Sequence, residues 1–421
     1  MLDIKFIREN KDLITEAAKK KRVKFDISKL IDADDTRKKL LLNVEDKRKI
    51  QNEVSRQVAG EKNSTVKLKL IEDMTKLKEE LALEEGALKE VMKEWQTLML
   101  AVPNIPDVTV PEGADESGNT EVMAWGEKKK FSFPVKDHVE LMSALGIADF
   151  ERGVKAHGFR GYFLKGEGAE ISWALWNYAR DFFTAKQFIP FVAPSVLRKE
   201  HFIGTGHLPR EAEDLFRTQD DDYLSGTAEV AMMAYHCDET LKGSDLPLRY
   251  LAFSPCFRRE AGSHGKDVKG LIRVHEFYKL EQLILSKADH ADSERLHEEI
   301  NGNFEEFLQS LGLPYRRLLI CTGDLSQSKV KQYDTEVWMP SENAYRELSS
   351  ASYYHDFQTR RFNIKYDDGA KKHYAYSLNC TAVATPRIIA AIVENYQEQD
   401  GSVATPRVLR QYMSGRSVIA K

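Results

Sequence analysis

The chain has 421 residues, of which 42% are hydrophobic and 30% charged, and its net charge is −4. This length exceeds that of one ordinary hydrophobic core, so we expect two domains or more. The N-terminus lacks the apolar stretch of a signal peptide, and no apolar run reaches the roughly 18 residues of a membrane span, so we expect no membrane attachment. The net charge excludes a broadly basic protein, so any RNA contact must use local basic patches.

The cysteines are few and widely scattered. They lie at Cys237, Cys256, Cys321 and Cys380 and form no CxxC pair. This spacing predicts neither a zinc motif nor a disulfide framework, and it is typical of a protein in a reducing, cytoplasmic compartment.

The first hundred residues contain no proline and only two glycines. A short helix is predicted from about Ile4 to Lys21. Two longer segments with apolar residues at 3/4 spacing follow, separated by the turn signal AGEKNST at residues 59–65. We expect two helices of about 30 residues each, folded back as an antiparallel coiled coil roughly 45 Å long.

The predicted seam of this coiled coil is not purely apolar. Its apolar positions are Leu40, Val44, Val54, Val58, Leu77, Leu81, Leu88, Val91, Trp95 and Leu98. Lys47, Gln51 and Glu84 interrupt it, which indicates a hairpin exposed to solvent. Taken alone, such a hairpin is typical of a dimerisation or spacer element.

A Pro- and Gly-rich stretch, VPNIPDVTVPEGADESGN, follows the hairpin. It predicts a domain boundary, with a helical domain at 1–101, a linker at 102–119 and a second domain at 120–421. The second domain has a mixed composition, with aromatic strands and amphipathic helices. Helices are predicted around Trp173 to Lys186 and around Arg387 to Tyr396.

The segment from Cys256 to Glu281 is predicted to form two strands joined by a long polar loop. Arg258 and Glu260 would share one face of the first strand, and alternate residues would share one face of the second. These are Arg273, His275, Phe277, Lys279 and Glu281. Such a surface gathers a guanidinium, carboxylates and an aromatic ring, which is what binding ATP beside a small amino acid requires.

Two further segments carry polar residues at predicted helix starts. Thr227 precedes a predicted helix from Ala228 to His236, where a threonine is usually an N-cap. Arg387 lies in the first turn of its predicted helix, following the strand and break of SLNCTAVATP. The helix dipole disfavours a cation there, so a bound anion explains Arg387 better than a purely structural role does.

The segment CFRREAGSHGKDVKGLIRVHEFYKLE resembles motif 2 of the class II aminoacyl-tRNA synthetases, in the form typical of the seryl-tRNA synthetases. Pro194 resembles the end of motif 1, and SLNCTAVATPR resembles motif 3. The hairpin and the NIP tripeptide of the linker extend the resemblance to essentially the whole chain. It implies an α+β fold, in which a two-helix coiled-coil arm precedes an antiparallel β-sheet flanked by helices.

The resemblance also implies roles for individual residues. Arg258, Glu347 and Arg387 would be catalytic, with the two arginines on the α- and γ-phosphates of ATP. Serine would be bound by Thr227, Ala228, Glu229, Arg258, Glu281, Asn379 and Thr381. ATP would be bound by Arg258, Arg259, Glu260, Val274, Phe277, Glu347, Leu348, Ser349, Ser350 and Arg387. Magnesium would be held by Glu347 and Ser350, whose hard oxygens suit that ion.

Other residues receive weaker expectations. Glu336 is expected to support a strand face. The loop from Gly262 to Gly270, with His264 and Lys266, would approach the tRNA acceptor end. In motif 3, Thr381 stands where other members have serine, and Cys380, Ala382 and Pro386 stand where they have glycine. These departures put the local backbone geometry in question.

The resemblance implies an enzyme that converts L-serine and ATP to seryl-adenylate and transfers serine to tRNA(Ser) and tRNA(Sec). It also implies a cytoplasmic homodimer. One alternative is an inactive relative that serves as an RNA-binding protein. Such a chain should have lost one of Thr227, Glu229, Arg258, Glu281, Glu347 and Arg387, and all six are present. A ligase that loads a carrier protein is the other alternative, but those relatives lack the arm.

Overall fold

The computed structural model describes residues 1–261 and 270–421. The expectations for His264 and Lys266 therefore lie outside the described residues. The chain divides into two compact units, Met1–Pro103 and Asn104–Lys421. Most of the Pro- and Gly-rich stretch thus belongs to the second unit.

The first unit is entirely helical, with α1 at Ile4–Glu9, α2 at Lys11–Lys20, α3 at Ile27–Gly60 and α4 at Ser64–Ala101. The prediction of one helix over Ile4 to Lys21 was wrong. Asn10 leaves the helical conformation, with φ −125° and ψ 44°, and its Nδ2 donates a 2.9 Å hydrogen bond to the Phe6 carbonyl. An asparagine side chain that bonds to the backbone in this way ends α1.

Helices α3 and α4 form the predicted antiparallel arm. They have 34 and 38 residues, longer than the 30 expected. Each begins with a side-chain cap, Asp26 for α3 and Asn63 for α4. At 1.5 Å per residue the two helices are about 51 and 57 Å long.

Two of the polar interruptions of the seam, Lys47 and Glu84, pair with each other across the arm. Lys47 Nζ lies 2.7 Å from Glu80 Oε2 and 3.3 Å from Glu84 Oε1. Arg48 of α3 similarly lies 2.7 Å from Glu85 of α4. The lysine that breaks the apolar pattern therefore has carboxylate partners on the facing helix.

The second unit is built on an eight-stranded sheet in the order β1-β5-β6-β7-β8-β4-β3-β2. Its strands are β1 Thr120–Trp125, β2 Ile189–Val192, β3 Leu248–Phe257, β4 Glu276–Ser286, β5 Tyr315–Leu319, β6 Lys331–Met339, β7 Ala344–His355 and β8 Tyr376–Ala384. The edge strand β2 runs parallel to β3, and the other neighbours are antiparallel.

Eight α-helices belong to the described part of this unit. They are α5 His138–Leu145, α6 Phe150–His157, α7 Glu167–Ala185, α8 Lys199–Thr205, α9 Ala228–Tyr235, α10 His290–Ser310, α11 Phe357–Phe362 and α12 Thr385–Asn395. Buried side chains of α7, α10 and α12 form one hydrophobic cluster with the sheet. Among the described residues, no helix combines the length and the apolar character needed to cross a bilayer.

Several predicted boundaries in this unit were wrong. Arg258 and Glu260 lie beyond the end of β3, and Arg273 and His275 lie before the start of β4. Helix α7 begins at Glu167, and α12 follows β8 without the predicted break. Glu260 has a φ of 53°, a left-handed conformation that a regular strand does not contain.

The chain that enters the second unit is fixed to it by hydrogen bonds. The buried Asn104 donates through Nδ2 to the carbonyls of Ser328 at 2.9 Å and Tyr354 at 2.8 Å. The Asp107 amide donates to the Val330 carbonyl at 2.9 Å. Residues 104–107 are therefore a packed part of the unit and not a free tether.

Asn104→Ala should lower the free energy of unfolding of the second unit by about 1–3 kcal/mol, because two buried carbonyls lose their donor. The urea midpoint, followed by circular dichroism, measures the change. Asn177→Ala is the matched control, since Asn177 is exposed and its side chain bonds only to Trp173 of the same helix. Equal midpoints for the two variants would contradict this account of Asn104.

Candidate active site

A polar cavity of about 560 Å³ opens on the sheet of the second unit. Its lining includes Thr227, Glu229, Arg258, Lys279, Glu281, Glu347, Ser350, Tyr354, Asn379 and Thr381. An adjoining pocket shares Arg258, Lys279, Glu347 and Thr381 with it and adds Glu260, Val274, Phe277, Leu348 and Arg387. The volume is in the usual range for small-molecule sites. Most of the predicted site residues thus come together.

Glu229 lies at the start of α9 and is held by two side-chain amides. Its Oε1 accepts a 2.6 Å hydrogen bond from Gln358 Nε2, and its Oε2 accepts a 2.7 Å bond from Asn379 Nδ2. Tyr354 in turn donates to Asn379 Oδ1 at 3.1 Å. The carboxylate is therefore fixed in one orientation, with lone pairs left for a donor in the cavity. Gln358 and Tyr354 were not predicted, since they lie far from Glu229 in sequence.

Thr227 is the N-cap of α9, as predicted, and its Oγ1 accepts from the Glu229 amide at 3.3 Å. The same oxygen accepts a 2.9 Å bond from Lys279 Nζ, which also lies 2.5 Å from Glu281 Oε2. Thr381 Oγ1 lies 3.5 Å from that carboxylate. Burial raises the pKa of Glu281, and the Lys279 ammonium offsets only part of this effect. The cavity floor therefore holds a desolvated ion pair between two hydroxyls.

Arg258 is held at the edge of the cavity by its backbone and its guanidinium. The Arg258 amide donates to the His275 carbonyl, and His275 Nδ1 lies 2.9 Å from the Arg258 carbonyl oxygen. The guanidinium donates to the Gly226 carbonyl at 3.3 Å and lies 5.4 Å from the Phe277 ring centroid. Glu260 forms an ion pair with Arg273. The arginine is thus positioned beside an aromatic ring without a carboxylate partner of its own in the described contacts.

Arg387, in the first turn of α12, is also held by backbone carbonyls. Its Nε donates to the Ile272 carbonyl at 2.8 Å, and its Nη1 donates to the Glu347 carbonyl at 2.7 Å. The Glu347 carboxylate lies 3.7 Å from Nη1 and is half exposed. The guanidinium therefore keeps donors that an anion could accept from.

His138 positions the start of the segment that carries Ile272, a role that no local sequence pattern predicted. The Leu271 amide donates to His138 Nε2 at 3.1 Å, so that nitrogen is the acceptor and Nδ1 donates to Glu394 at 2.9 Å. Gly270 has a φ of 83°, and a Cβ there would lie 2.2 Å from His138 Nε2. The His138 ring therefore packs directly against the backbone of residues 270–272, and a side chain at position 270 would clash with it.

Hard oxygen donors converge where β6 and β7 pair. Asp334 lies opposite Ser350 in the register, and burial followed by the Glu347 carboxylate raises the pKa of Asp334 to about 7. The buried Ser350 hydroxyl faces the Asp334 carboxylate and forms a side-chain hydrogen bond with it. A hydroxyl beside two carboxylates fits a hard divalent cation. Asp334 was not predicted, because only strand pairing brings it to this position.

Three predicted site residues line neither the cavity nor its adjoining pocket. Ala228 is buried within α9, and Arg259 is exposed outside both pockets. Ser349 Oγ donates to the Thr381 carbonyl at 2.8 Å, so its side chain joins β7 to β8. Neighbouring strand residues point to opposite faces, which places Ser350 at the cavity and Ser349 away from it. Glu336 pairs with Arg316 at 2.6 Å, as the expected strand support.

Two departures in motif 3, Cys380 and Pro386, fit a regular backbone, whereas Ala382 lies where the pairing of β8 with β4 is irregular. Cys380 is fully buried in β8, with its Sγ 3.3 Å from Ser349 Oγ. Pro386 lies in the first turn of α12, where the missing amide hydrogen costs nothing. Cys380 and Pro386 are therefore compatible with the strand and with the helix, respectively.

Comparison with known proteins finds two family models. The tRNA synthetase class II core domain (G, H, P, S and T) matches residues 214–396, and the seryl-tRNA synthetase N-terminal domain matches residues 1–106. The serine–tRNA ligase of Halothermothrix orenii is 47% identical, with 100% of each chain covered. That of Deinococcus radiodurans is 41% identical, with 100% of this chain and 99% of the relative covered.

Two solved structures are similar over the whole length. The seryl-tRNA synthetase from Pyrococcus horikoshii, complexed with ATP, has a TM-score of 0.88 and 36% identity, with 100% of this chain and 99% of the other covered. The cytoplasmic serine–tRNA ligase from Naegleria fowleri, in complex with AMP, has a TM-score of 0.86 and 33% identity, with the same coverage.

His138→Ala should weaken the protection of the Leu271 amide from hydrogen exchange. A lost hydrogen bond of about 0.5–1.5 kcal/mol corresponds to roughly 2- to 12-fold faster exchange. Deuterium uptake of the peptide covering residues 270–276, followed by mass spectrometry, measures this. His373→Ala is the control, because His373 pairs with Asp368 at the surface. Wild-type uptake in His138→Ala would show that the bond does not hold this segment.

Proposed function

The chain belongs to the seryl-tRNA synthetase family, and on that premise we propose that the polar cavity is the site where serine and ATP react. The activity is that of a serine–tRNA ligase. The single observation that carries the assignment of the site is the convergence of Thr227, Glu229, Glu281, Arg258 and Arg387 on one cavity and its adjoining pocket.

Serine would occupy the floor of the cavity. Glu229 is held by Gln358 and Asn379 so that it can accept from an ammonium or a hydroxyl group. Glu281, Thr381 and Thr227 supply further polar atoms beside Lys279. A site built to hydrogen-bond a hydroxyl discriminates against an analogue that lacks it by roughly 10⁴-fold, so alanine should be rejected.

ATP would occupy the adjoining pocket. Phe277 offers a ring for the adenine, and Val274 lines the same pocket. Arg258 and Arg387 present guanidinium groups for phosphate oxygens, while backbone carbonyls fix their orientation. Glu260 would act through Arg273, to which it is paired.

The residues support a reaction without a protein nucleophile. The serine carboxylate attacks the α-phosphorus of ATP, the bond to pyrophosphate breaks, and seryl-adenylate forms. A ribose hydroxyl at the 3′ end of tRNA then attacks the carbonyl carbon and releases AMP. The protein contributes by positioning both substrates and by placing arginine donors where negative charge develops.

Glu347 and Ser350, with Asp334 beside them, would hold a magnesium ion. Their oxygens are the ligand type that this ion prefers, and the convergence of the Ser350 hydroxyl with two carboxylates at the cavity favours it. The bound ion would supply positive charge for phosphate oxygens. Glu347 would then be shared between that ion and Arg387.

The arm would bind tRNA(Ser) through one face of α3. Arg48, Lys49 and Arg56 lie with Asn52 around a shallow depression on that face. Basic groups at this spacing along a helix can meet successive phosphates. The same face would serve tRNA(Sec).

A homodimer is favoured by the apolar side chains at one edge of the sheet. Strand β2 forms that edge, where Ile189 is 52% exposed and Val192 is 84% exposed. Trp173 of α7 is also exposed. A second copy would cover such residues, which are otherwise an aggregation hazard.

We place the enzyme in the cytoplasm, where its four free cysteines would stay reduced.

The inactive RNA-binding relative is disfavoured by the same geometry. A chain that had lost catalysis would have no reason to keep a desolvated Lys279–Glu281 pair and two arginines aimed at one site. Measuring turnover that depends on serine and ATP distinguishes an active ligase from an inactive relative.

Arg258→Ala should lower serine-dependent ATP–pyrophosphate exchange by about 100-fold or more, because one donor to the developing charge is lost. Binding of tRNA should be retained. Arg259→Ala is the matched control, since Arg259 lies outside both pockets and exchange should persist. Equal exchange in both variants would refute the role given to Arg258.

Reversing two charges on the arm should affect tRNA binding and not ATP–pyrophosphate exchange. We expect Lys49→Glu combined with Arg56→Glu to weaken tRNA binding by about tenfold or more at low salt, while exchange is unchanged. Glu45→Gln combined with Glu53→Gln, on the same face, is the control and should not weaken binding. If filter binding and serine charging stay at the wild-type level in the reversed variant, this face does not contact tRNA.

A further inference from the structure

Asp107, His290 and Glu294 form a cluster that lies outside the active site. Their ligand atoms, a carboxylate oxygen, an imidazole nitrogen and a second carboxylate oxygen, all lie within 4.8 Å of one another. His290 Nε2 is 3.6 Å from Asp107 Oδ2 and 3.8 Å from Glu294 Oε2. None of these residues lines the active-site cavity or its adjoining pocket.

These distances are longer than hydrogen bonds and close to those between ligands of one metal ion. A direct bond would bring nitrogen and oxygen to about 2.7–3.2 Å. Ligands about 2.0 Å from a tetrahedral zinc ion are roughly 3.3 Å apart. The three atoms therefore surround a small gap instead of contacting one another.

The positions of the three residues favour convergence on that gap. His290 and Glu294 are four residues apart at the start of α10, so their side chains share one face of the helix. Asp107 comes from the segment that enters the second unit. Its side chain is only 2% exposed, whereas those of His290 and Glu294 are 53% and 43% exposed. One ligand is fixed and buried, and the other two leave a route from solvent.

Neighbouring groups orient two of the ligands. Asp107 Oδ1 accepts from the Thr109 amide at 2.9 Å and hydroxyl at 2.6 Å, and Oδ2 accepts from Tyr353 at 2.8 Å. His290 Nδ1 lies 3.2 Å from His355 Nε2. A hydrogen bond between two imidazoles needs one neutral acceptor ring. If His290 donates through Nδ1, its Nε2 presents a lone pair to the gap, which is the arrangement of metal-binding histidines.

We propose that Asp107, His290 and Glu294 bind a divalent transition-metal ion, with zinc as the best match, and that water completes the coordination. One imidazole and two carboxylates suit zinc better than magnesium, which prefers oxygen ligands alone. His355 is a positioning residue for this site. The ion would join the entering segment at Asp107 to the first turn of α10.

The test uses the full chain, stripped with chelator and dialysed into buffer with millimolar magnesium, which occupies sites made of oxygen alone. Zinc chloride is titrated by calorimetry, and bound zinc after dialysis is measured by elemental analysis. Cobalt(II) is the spectroscopic probe, because tetrahedral coordination gives intense visible absorption. Wild type should bind one equivalent more than His290→Gln and than Glu294→Gln.

His355→Asn gives an independent readout. His355 has a φ of 50°, a conformation that asparagine tolerates, so the backbone should be kept. Loss of an orienting partner typically weakens metal binding by about 10- to 100-fold. His373→Gln is the matched control, because His373 has a single carboxylate partner, Asp368, 2.8 Å away. It should leave zinc binding unchanged.

The outcomes are distinct. Zinc binding that falls in the His290, Glu294 and His355 variants, and not in the His373 variant, supports the site. Equal stoichiometry and affinity in wild type and His290→Gln would overturn it and leave the cluster as a surface charge network. Circular dichroism of each variant checks the fold, and the exposed Glu294→Gln change keeps the test valid if His290→Gln fails to fold.

Discussion

The buried ion pair between Lys279 and Glu281 is the constraint around which the second unit is arranged. Both side chains lie on β4 and are 5% and 2% exposed. Withdrawing such charges from water costs several kcal/mol for each ion, and their attraction repays this only when the remaining polar atoms are satisfied. Thr227 at the start of α9 and Thr381 on β8 meet that need from the two sides. The position of α9 and the register between β4 and β8 are therefore tied to one pair of charges.

The residues around this ion pair are also held in place by hydrogen bonds. Glu229, on α9, is placed by the helix that Thr227 caps, and its carboxylate is fixed by Gln358 and Asn379. Backbone carbonyls hold Arg258 and Arg387 at the edge of the site, where the half-exposed Glu347 carboxylate lies 3.7 Å from Arg387 Nη1. The site thus has satisfied carboxylates at its floor and available cations at its edge. This separation of charge matches a small zwitterion next to a polyphosphate.

Local sequence patterns predicted the parts of this architecture that local interactions determine. The 3/4 spacing of Val44 and Leu81 predicted the arm, and a threonine before an apolar run predicted the cap of α9. The alternation of Phe277, Lys279 and Glu281 on β4 was also correct. What failed were the strand ends at Arg258 and Arg273 and the break before α12, because tertiary packing decides where a strand stops. His138, Asp334 and Gln358 were missed because each acts on a residue that is distant in sequence.

Lys47 favours one alignment of the two helices of the arm. Two helices joined only by leucine and valine contacts could slide past each other by a turn at little cost, since one apolar layer resembles the next. A lysine in the seam that meets Glu80 and Glu84 makes one alignment better than its neighbours. Every charged group on α3 then lies at a fixed position along the arm relative to α4. The basic groups of α3, among them Lys49 and Arg56, therefore keep constant spacings along the arm.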